Sequence, residues 1–101
     1  MKIASIAFTE NGAKIVKMLV REMDVKGYVF EKYKTDGLET FNNVSSLVRD
    51  IFKKYNAIVF VGACGIAVRS IAPYVKDKAK DPAVVVVDEK GILRYRFCPD
   101  I

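Results

Sequence analysis

Histidine is missing from all 101 residues, and its absence removes more chemistry than any other feature of the sequence. Neither a Cys–His nor a Ser–His pair for nucleophilic catalysis can be assembled. Cysteine is scarce too: Cys64 and Cys98 stand far apart and form neither a disulfide framework nor the ligand spacing of a zinc site. No metal site built by the protein is therefore expected. No apolar run approaches the roughly 20 residues needed to cross a bilayer. The N-terminus, MKIASIAF, lacks the apolar core and cleavage site of a signal peptide, so the expected location is cytoplasmic, with no membrane partner. No run of lysine and arginine is long enough for a nucleic-acid arm, and no nucleic-acid-binding motif is present, so no nucleic-acid partner is expected. Internal repeats, linkers and low-complexity segments are likewise missing.

What is there describes a folded domain. Hydrophobic residues make up 51% of the chain, aromatic residues 11% and charged residues 29%, a globular rather than a disordered balance. At this length residues 1–101 form one domain, which buries roughly 60–70% of its unfolded surface around a thin core. Lys and Arg number 17 against 12 Asp and Glu, a net charge of +5. That excess attracts anions without choosing among nucleic acid, an acidic metabolite and an acidic protein. A plain solvated surface accounts for it equally well.

Along the chain, strand and helix patterns alternate. Residues 2–8 read as a short apolar strand, and Thr9, Asn11 and Gly12 as the turn into a helix, with Thr9 or Asn11 as N-cap. Val16, Leu19, Val20 and Met23 recur at helical spacing and give that helix one apolar face. Residues 25–33 are rich in strand formers and are closed by Thr35-Asp36-Gly37. Val44, Leu47, Val48, Ile51, Phe52 and Tyr55 then form a second helical stripe, capped by Asn42 or Asn43, with Asp50 placed to pair with Lys54. Residues 57–61 are a continuous apolar run, the pattern of a strand covered on both faces, and residues 84–87 read as a second, wholly β-branched strand. Asp88-Glu89-Lys90-Gly91 turns into residues 92–97, where Arg94 and Arg96 alternate with Leu93, Tyr95 and Phe97. The expected fold is α/β: a three-layer αβα sandwich on a mostly parallel sheet of flavodoxin-like order 2-1-3-4, with right-handed crossovers and a last antiparallel edge strand.

In an open parallel sheet, ligands bind beyond the carboxyl ends of the strands. The loops at 9–12, 62–65 and 88–91 should gather there. The first two lead into helix N-termini, whose unpaired N–H groups attract anions, so Thr9, Gly12, Gly62 and Gly65 are candidate binding residues; tight-turn roles for the glycines stand beside that reading. Cys64 lies in the same turn, either as a thiol with lowered pKa or as a small buried side chain. Arg69 follows one turn later, where its guanidinium can grip a carboxylate, pair with Asp88, or face solvent. Asp88 closes its strand at the carboxyl end, and it is the candidate general base or binding acceptor, with a turn-forming aspartate as the alternative. Lys78 and Asp81 precede that strand at its amino end, so capping or a salt bridge is expected of them.

The run GACGIAVRSIAP at residues 62–73, followed by DKAKDPAVVVVDEKG at 77–91, resembles the N-terminal domain of the CbiG family of anaerobic cobalamin (vitamin B12) biosynthesis. That family shows a glycine turn leading into V-R-x-I-A-P and then D-K-x-x-D-P-A-V-V-x-x-D-x-x-G. The resemblance covers about a third of the chain, with residues of unlike chemistry in fixed order. It implies a cobalt-precorrin-5A hydrolase, which opens the δ-lactone of a cobalt tetrapyrrole bearing many carboxylates and releases acetaldehyde. The partner is then an anionic tetrapyrrole, with no cofactor held by the protein, because cobalt arrives with the substrate. Family members continue past the position of Gly91 into a motif of the form S-G-H-x-G-G-A-N and a separate C-terminal domain, whereas residues 92–101 read ILRYRFCPDI. The expectation is a domain or subunit incomplete alone, completed by a separate C-terminal-domain protein, with a homodimer also compatible. The alternative is a non-catalytic flavodoxin-like ligand-binding or docking module, to which the loop TENGAK lends a faint likeness.

Overall fold

The computed structural model describes residues 2–62, 69, 71–74, 81–87 and 93–97. Its centre is β1, Ile3–Ala7, whose residues 4–7 are fully buried. Ser5 is the one polar residue there among those described, and its hydroxyl donates to the Lys26 carbonyl at 3.4 Å, which meets the requirement that a buried polar group find a partner.

On one side β1 pairs in parallel with β2, Val25–Phe30, and on the other with β4, Ala57–Val61. β4 pairs in parallel with β5, Ala83–Val87, and β5 antiparallel with β6, Leu93–Phe97. The order of the four longer parallel strands is the expected 2-1-3-4. The sequence pattern does not reveal β3, Glu39–Phe41, which lies parallel to β2 at the outer edge. The full order is β3-β2-β1-β4-β5-β6. The strand expected over 25–33 stops at Phe30, and Glu31–Tyr33 winds into a 3-10 turn. Gly37, at φ 88°, then reverses the chain into β3 in a backbone region where a side chain is strained.

Helices α1, Glu10–Glu22, and α2, Val44–Ile51, cover opposite faces of the sheet. α1 is capped by Thr9 and α2 by Asn43; each cap side chain accepts from an amide three residues on. α2 ends before Lys54, so the expected Asp50–Lys54 pair does not form: Asp50 lies 3.6 Å from Arg49 Nε instead. Alternation along the strands sorts side chains between the faces. Ile6, Ile58, Phe60, Val84 and Val86 pack with Val48, Ile51, Phe52 and Ile71 on the α2 side. Ala7, Val29 and Val61 pack with Ala13 and Val16 on the α1 side. Val59 is only half-buried, so β4 is not covered equally on both faces as its apolar run suggests, and Val85 and Val87 of β5 are half-buried as well.

Gly27 supplies the room that brings α1 onto β2. A Cβ there would meet Val16 Cγ1 at 2.9 Å, Val20 Cγ2 at 2.8 Å and Leu38 Cδ2 at 2.5 Å.

Candidate functional site at the carboxyl edge

Register decides what meets at the carboxyl edge. Ala7 is the partner of Val61, and Val61 of Val87, so the chain leaving β1 at Phe8 and Thr9 emerges beside Gly62 and beside the end of β5. Gly62 adopts φ 81°, and its N–H donates to the Val87 carbonyl at 2.6 Å. A side chain in that left-handed region would cost about 1–2 kcal/mol.

Thr9 and Gly12 meet at the start of α1, where Gly12 lies against Val61, the residue before Gly62. The Gly12 N–H donates to Thr9 Oγ1 at 3.0 Å, and the Ala13 N–H to the Thr9 carbonyl at 2.9 Å. Gly12 is buried, and a Cβ on it would lie 3.3 Å from Ala7 Cβ and 3.5 Å from Val61 Cγ1. Its lack of a side chain lets the first turn of α1 sit close over β1 and β4, while its amide completes the cap. Arg69 is exposed on helical backbone. Cys64, Gly65, Lys78 and Asp88 lie outside the described residues.

Asp81 takes a structural position at the opposite edge. Its side chain is fully shielded from solvent, and Oδ1 lies 3.1 Å from Nζ of the exposed Lys53, tying the end of α2 to the start of β5. The Tyr28 and Tyr55 hydroxyls, 3.0 Å apart, make a second polar link, and burial, followed by the Tyr55 hydroxyl, pushes the Tyr28 pKa well up. Among the described residues no group of His, Cys, Asp and Glu could hold a metal ion, and no helix is long and apolar enough to cross a membrane.

An aromatic cluster at the carboxyl edge escaped the sequence reading. Phe8 stacks on Phe60 with ring centroids 6.3 Å apart and meets Phe41 edge-on at 5.8 Å, and Phe30 lies 6.0 Å from Phe41. The signal was each phenylalanine's place at or just past a strand end, which becomes readable only once β3 is known.

Residues 46–94 match the family profile "Cobalamin synthesis G N-terminal". The chain is 40% identical over 90 residues to the cobalt-precorrin-5A hydrolase of Salmonella typhimurium, covering 88% of this chain. This chain carries a cobalamin synthesis G N-terminal domain. It is also 35% identical over 97 residues to the cobalt-precorrin-5A hydrolase of Priestia megaterium, covering 87% of this chain. The crystal structure of a cobalamin biosynthesis protein G homolog from Sulfolobus solfataricus superposes with a TM-score of 0.61 at 30% identity, over 89% of this chain and 26% of that one. The chain spans 26% and 25% of the lengths of the two curated relatives. Within the domain, Gly62, Cys64, Gly65, Arg69 and Asp88 fall inside the matched residues, and Thr9 and Gly12 outside them.

Proposed function

We propose that residues 1–101 form one domain supplying one wall of a cobalt-precorrin-5A hydrolase of cobalamin biosynthesis, working in the cytoplasm. The observation that carries the reading is the match to two cobalt-precorrin-5A hydrolases across nearly nine-tenths of this chain. The carboxyl edge suits such a ligand: the N-terminus of α1 and the glycine turn at Gly62 emerge side by side, and both are chemically suited to carboxylates. In this scheme Thr9, Gly12, Gly62, Cys64 and Gly65 shape the backbone wall that faces the substrate's acetate and propionate arms. Arg69 grips one carboxylate bidentately. Asp88 acts as general base toward the water that opens the δ-lactone to a carboxylate and a free hydroxyl; that hydroxyl then loses its proton as the adjacent C–C bond breaks, the two-carbon unit leaves as acetaldehyde, and the macrocycle carbon left with the electron pair takes a proton. Cobalt enters as part of the substrate.

A second protein segment closes the site, carried on a C-terminal domain or on a separate protein; a second copy of this chain is the other arrangement. Released acetaldehyde is the readout, measured with cobalt-precorrin-5A for this chain alone and for this chain mixed with a protein that carries the remaining part of the relatives. Turnover only in the mixture is expected, and Arg69→Ala or Asp88→Ala should lower it at least tenfold. No turnover in the mixture would overturn the reading in favour of a docking or ligand-binding module.

A further inference from the structure

We infer that a lysine-walled cleft beside the carboxyl edge, formed by Lys14 and Lys17 of α1 and Lys32 and Lys34 after β2, is a subsite for the carboxylate groups of a polycarboxylate ligand. The inference deepens the functional reading above and rests on it for the identity of the ligand as a tetrapyrrole.

The cleft has a volume of about 440 Å³ and is completed by Glu10, Tyr33 and Thr35, a size within the range of small-molecule sites. It opens at the correct end of the sheet, because the first turns of α1 and the 3-10 turn after β2 both follow the carboxyl ends of adjacent parallel strands. Glu10 and Ala13 border it and also belong to the turn capped by Thr9, so the cleft adjoins the glycine edge. The segment after β2 is held in shape: Thr35 Oγ1 donates to the Tyr33 carbonyl at 2.9 Å, the Lys34 N–H to the Glu31 carbonyl at 3.2 Å, and Lys32 Nζ sits 5.6 Å from the Tyr33 ring centroid.

Four exposed ammonium groups face a single carboxylate, Glu10, and among the described residues none of the four has a carboxylate within 4.0 Å. The contrast is a cleft of similar size at the amino edge, about 410 Å³, lined by Lys2, Lys26, Lys54 and Asp24. There Lys26 is already engaged by Glu39 at 3.4 Å, and Asp24 offsets a further charge. Like charges left together without internal partners raise the local concentration of anions. Carboxylates fit the compact, multiply donating ammonium better than a neutral ligand would.

The test uses uroporphyrin I, a tetrapyrrole with eight carboxylates, and benzenehexacarboxylate, which has the charge without the macrocycle. Dissociation constants are measured by calorimetry at low and high salt for the whole chain, for Lys14→Gln/Lys32→Gln, for Lys17→Gln/Lys34→Gln, and for the amino-edge control Lys2→Gln/Lys54→Gln. All six side chains are exposed, so the variants should fold; circular dichroism verifies it. Each cleft variant should weaken uroporphyrin binding about fivefold or more at low salt, and the control less than twofold. Equal weakening by the control, or none by the cleft variants, would overturn the subsite. Lysine-dependent binding of benzenehexacarboxylate as tight as that of uroporphyrin would uphold the subsite while removing the tetrapyrrole as its ligand. Lysine-dependent uroporphyrin binding with no acetaldehyde from the reconstituted mixture would uphold the subsite while the hydrolase reading fails.

Discussion

The two faces of the sheet are built from the same strands and packed in different ways. On the α2 face Phe52, Phe60, Ile6, Ile58 and Ile71 are almost wholly excluded from water, and four phenylalanines meet at the carboxyl edge. On the α1 face the buried residues are small, with Ala7, Ala13, Val16, Val29 and Val61 at the centre. Beyond them an apolar groove of about 270 Å³ runs between α1 and β5, where Met18 is 47% and Met23 52% exposed. β5 shows the difference within one strand: Val84 and Val86 are buried on the α2 side, while Val85 and Val87 on the other are half-buried. Stability should therefore reside on the α2 face and sequence tolerance on the α1 face.

That asymmetry can be broken in a graded way. Phe60→Ala should cost about 3–5 kcal/mol, because it leaves a cavity among side chains that cannot collapse; urea denaturation with an unchanged m-value measures it. The α1 face should respond strongly only where it is tight. Gly27→Val drives γ-methyls into Val16, Val20 and Leu38 and should cost about 1–3 kcal/mol. If Gly27→Val proves neutral, the α1 face is looser than its contacts indicate.

The caps allow a like-for-like comparison across the sheet. Thr9→Ala and Asn43→Ala should each cost about 1 kcal/mol in thermal denaturation. A much smaller loss at Thr9 would show that the α1 terminus is held by packing around Gly12 more than by its cap. The Tyr28–Tyr55 link gives a pH test confined to the α2 face. The folded Tyr28 pKa lies above the ordinary value of 10.0, so the folded state retains its proton where the unfolded state releases it. The associated stability is fully present below about pH 10 and is lost as pH rises toward the folded pKa. The denaturation midpoint of the natural chain should decline between pH 9 and 11, and Tyr28→Phe should flatten that decline. The smallest effect should come from the groove, where Met18→Gln changes stability by less than about 0.5 kcal/mol.

Much of the fold was legible because the hydrophobic periods were unambiguous. The apolar runs at β1, β4 and β5, the stripes of both helices, and caps of the right chemistry at Thr9 and Asn43 are all local signals. β3 was hidden because Glu39-Thr40-Phe41 is three residues long and mostly polar; it is a strand only because Tyr28, Val29 and Phe30 already lie beside it. The end of β2 was misplaced for a related reason. Tyr33 favours strand formation locally, but the chain needs the 3-10 turn at Glu31–Tyr33 to redirect itself toward β3. At the candidate site, the approach of the α1 cap at Thr9 and Gly12 to the end of β4 followed from topology, whereas the closeness of the four lysines required the β1–β2 register. A one-residue slip in that pairing would present the opposite faces of the strands.

The hydrogen bond from Gly62 to Val87 has a kinetic consequence. An amide at the mouth of a binding loop ordinarily exchanges its proton with solvent quickly, since loops open at low free energy. At 2.6 Å from the Val87 carbonyl, the Gly62 amide extends the β4–β5 ladder by one rung past Val61, the last residue of β4. It should exchange on the slow timescale of the central strands, so that at Gly62 itself the proposed ligand would meet a backbone amide already fixed, and ordering it would cost little entropy.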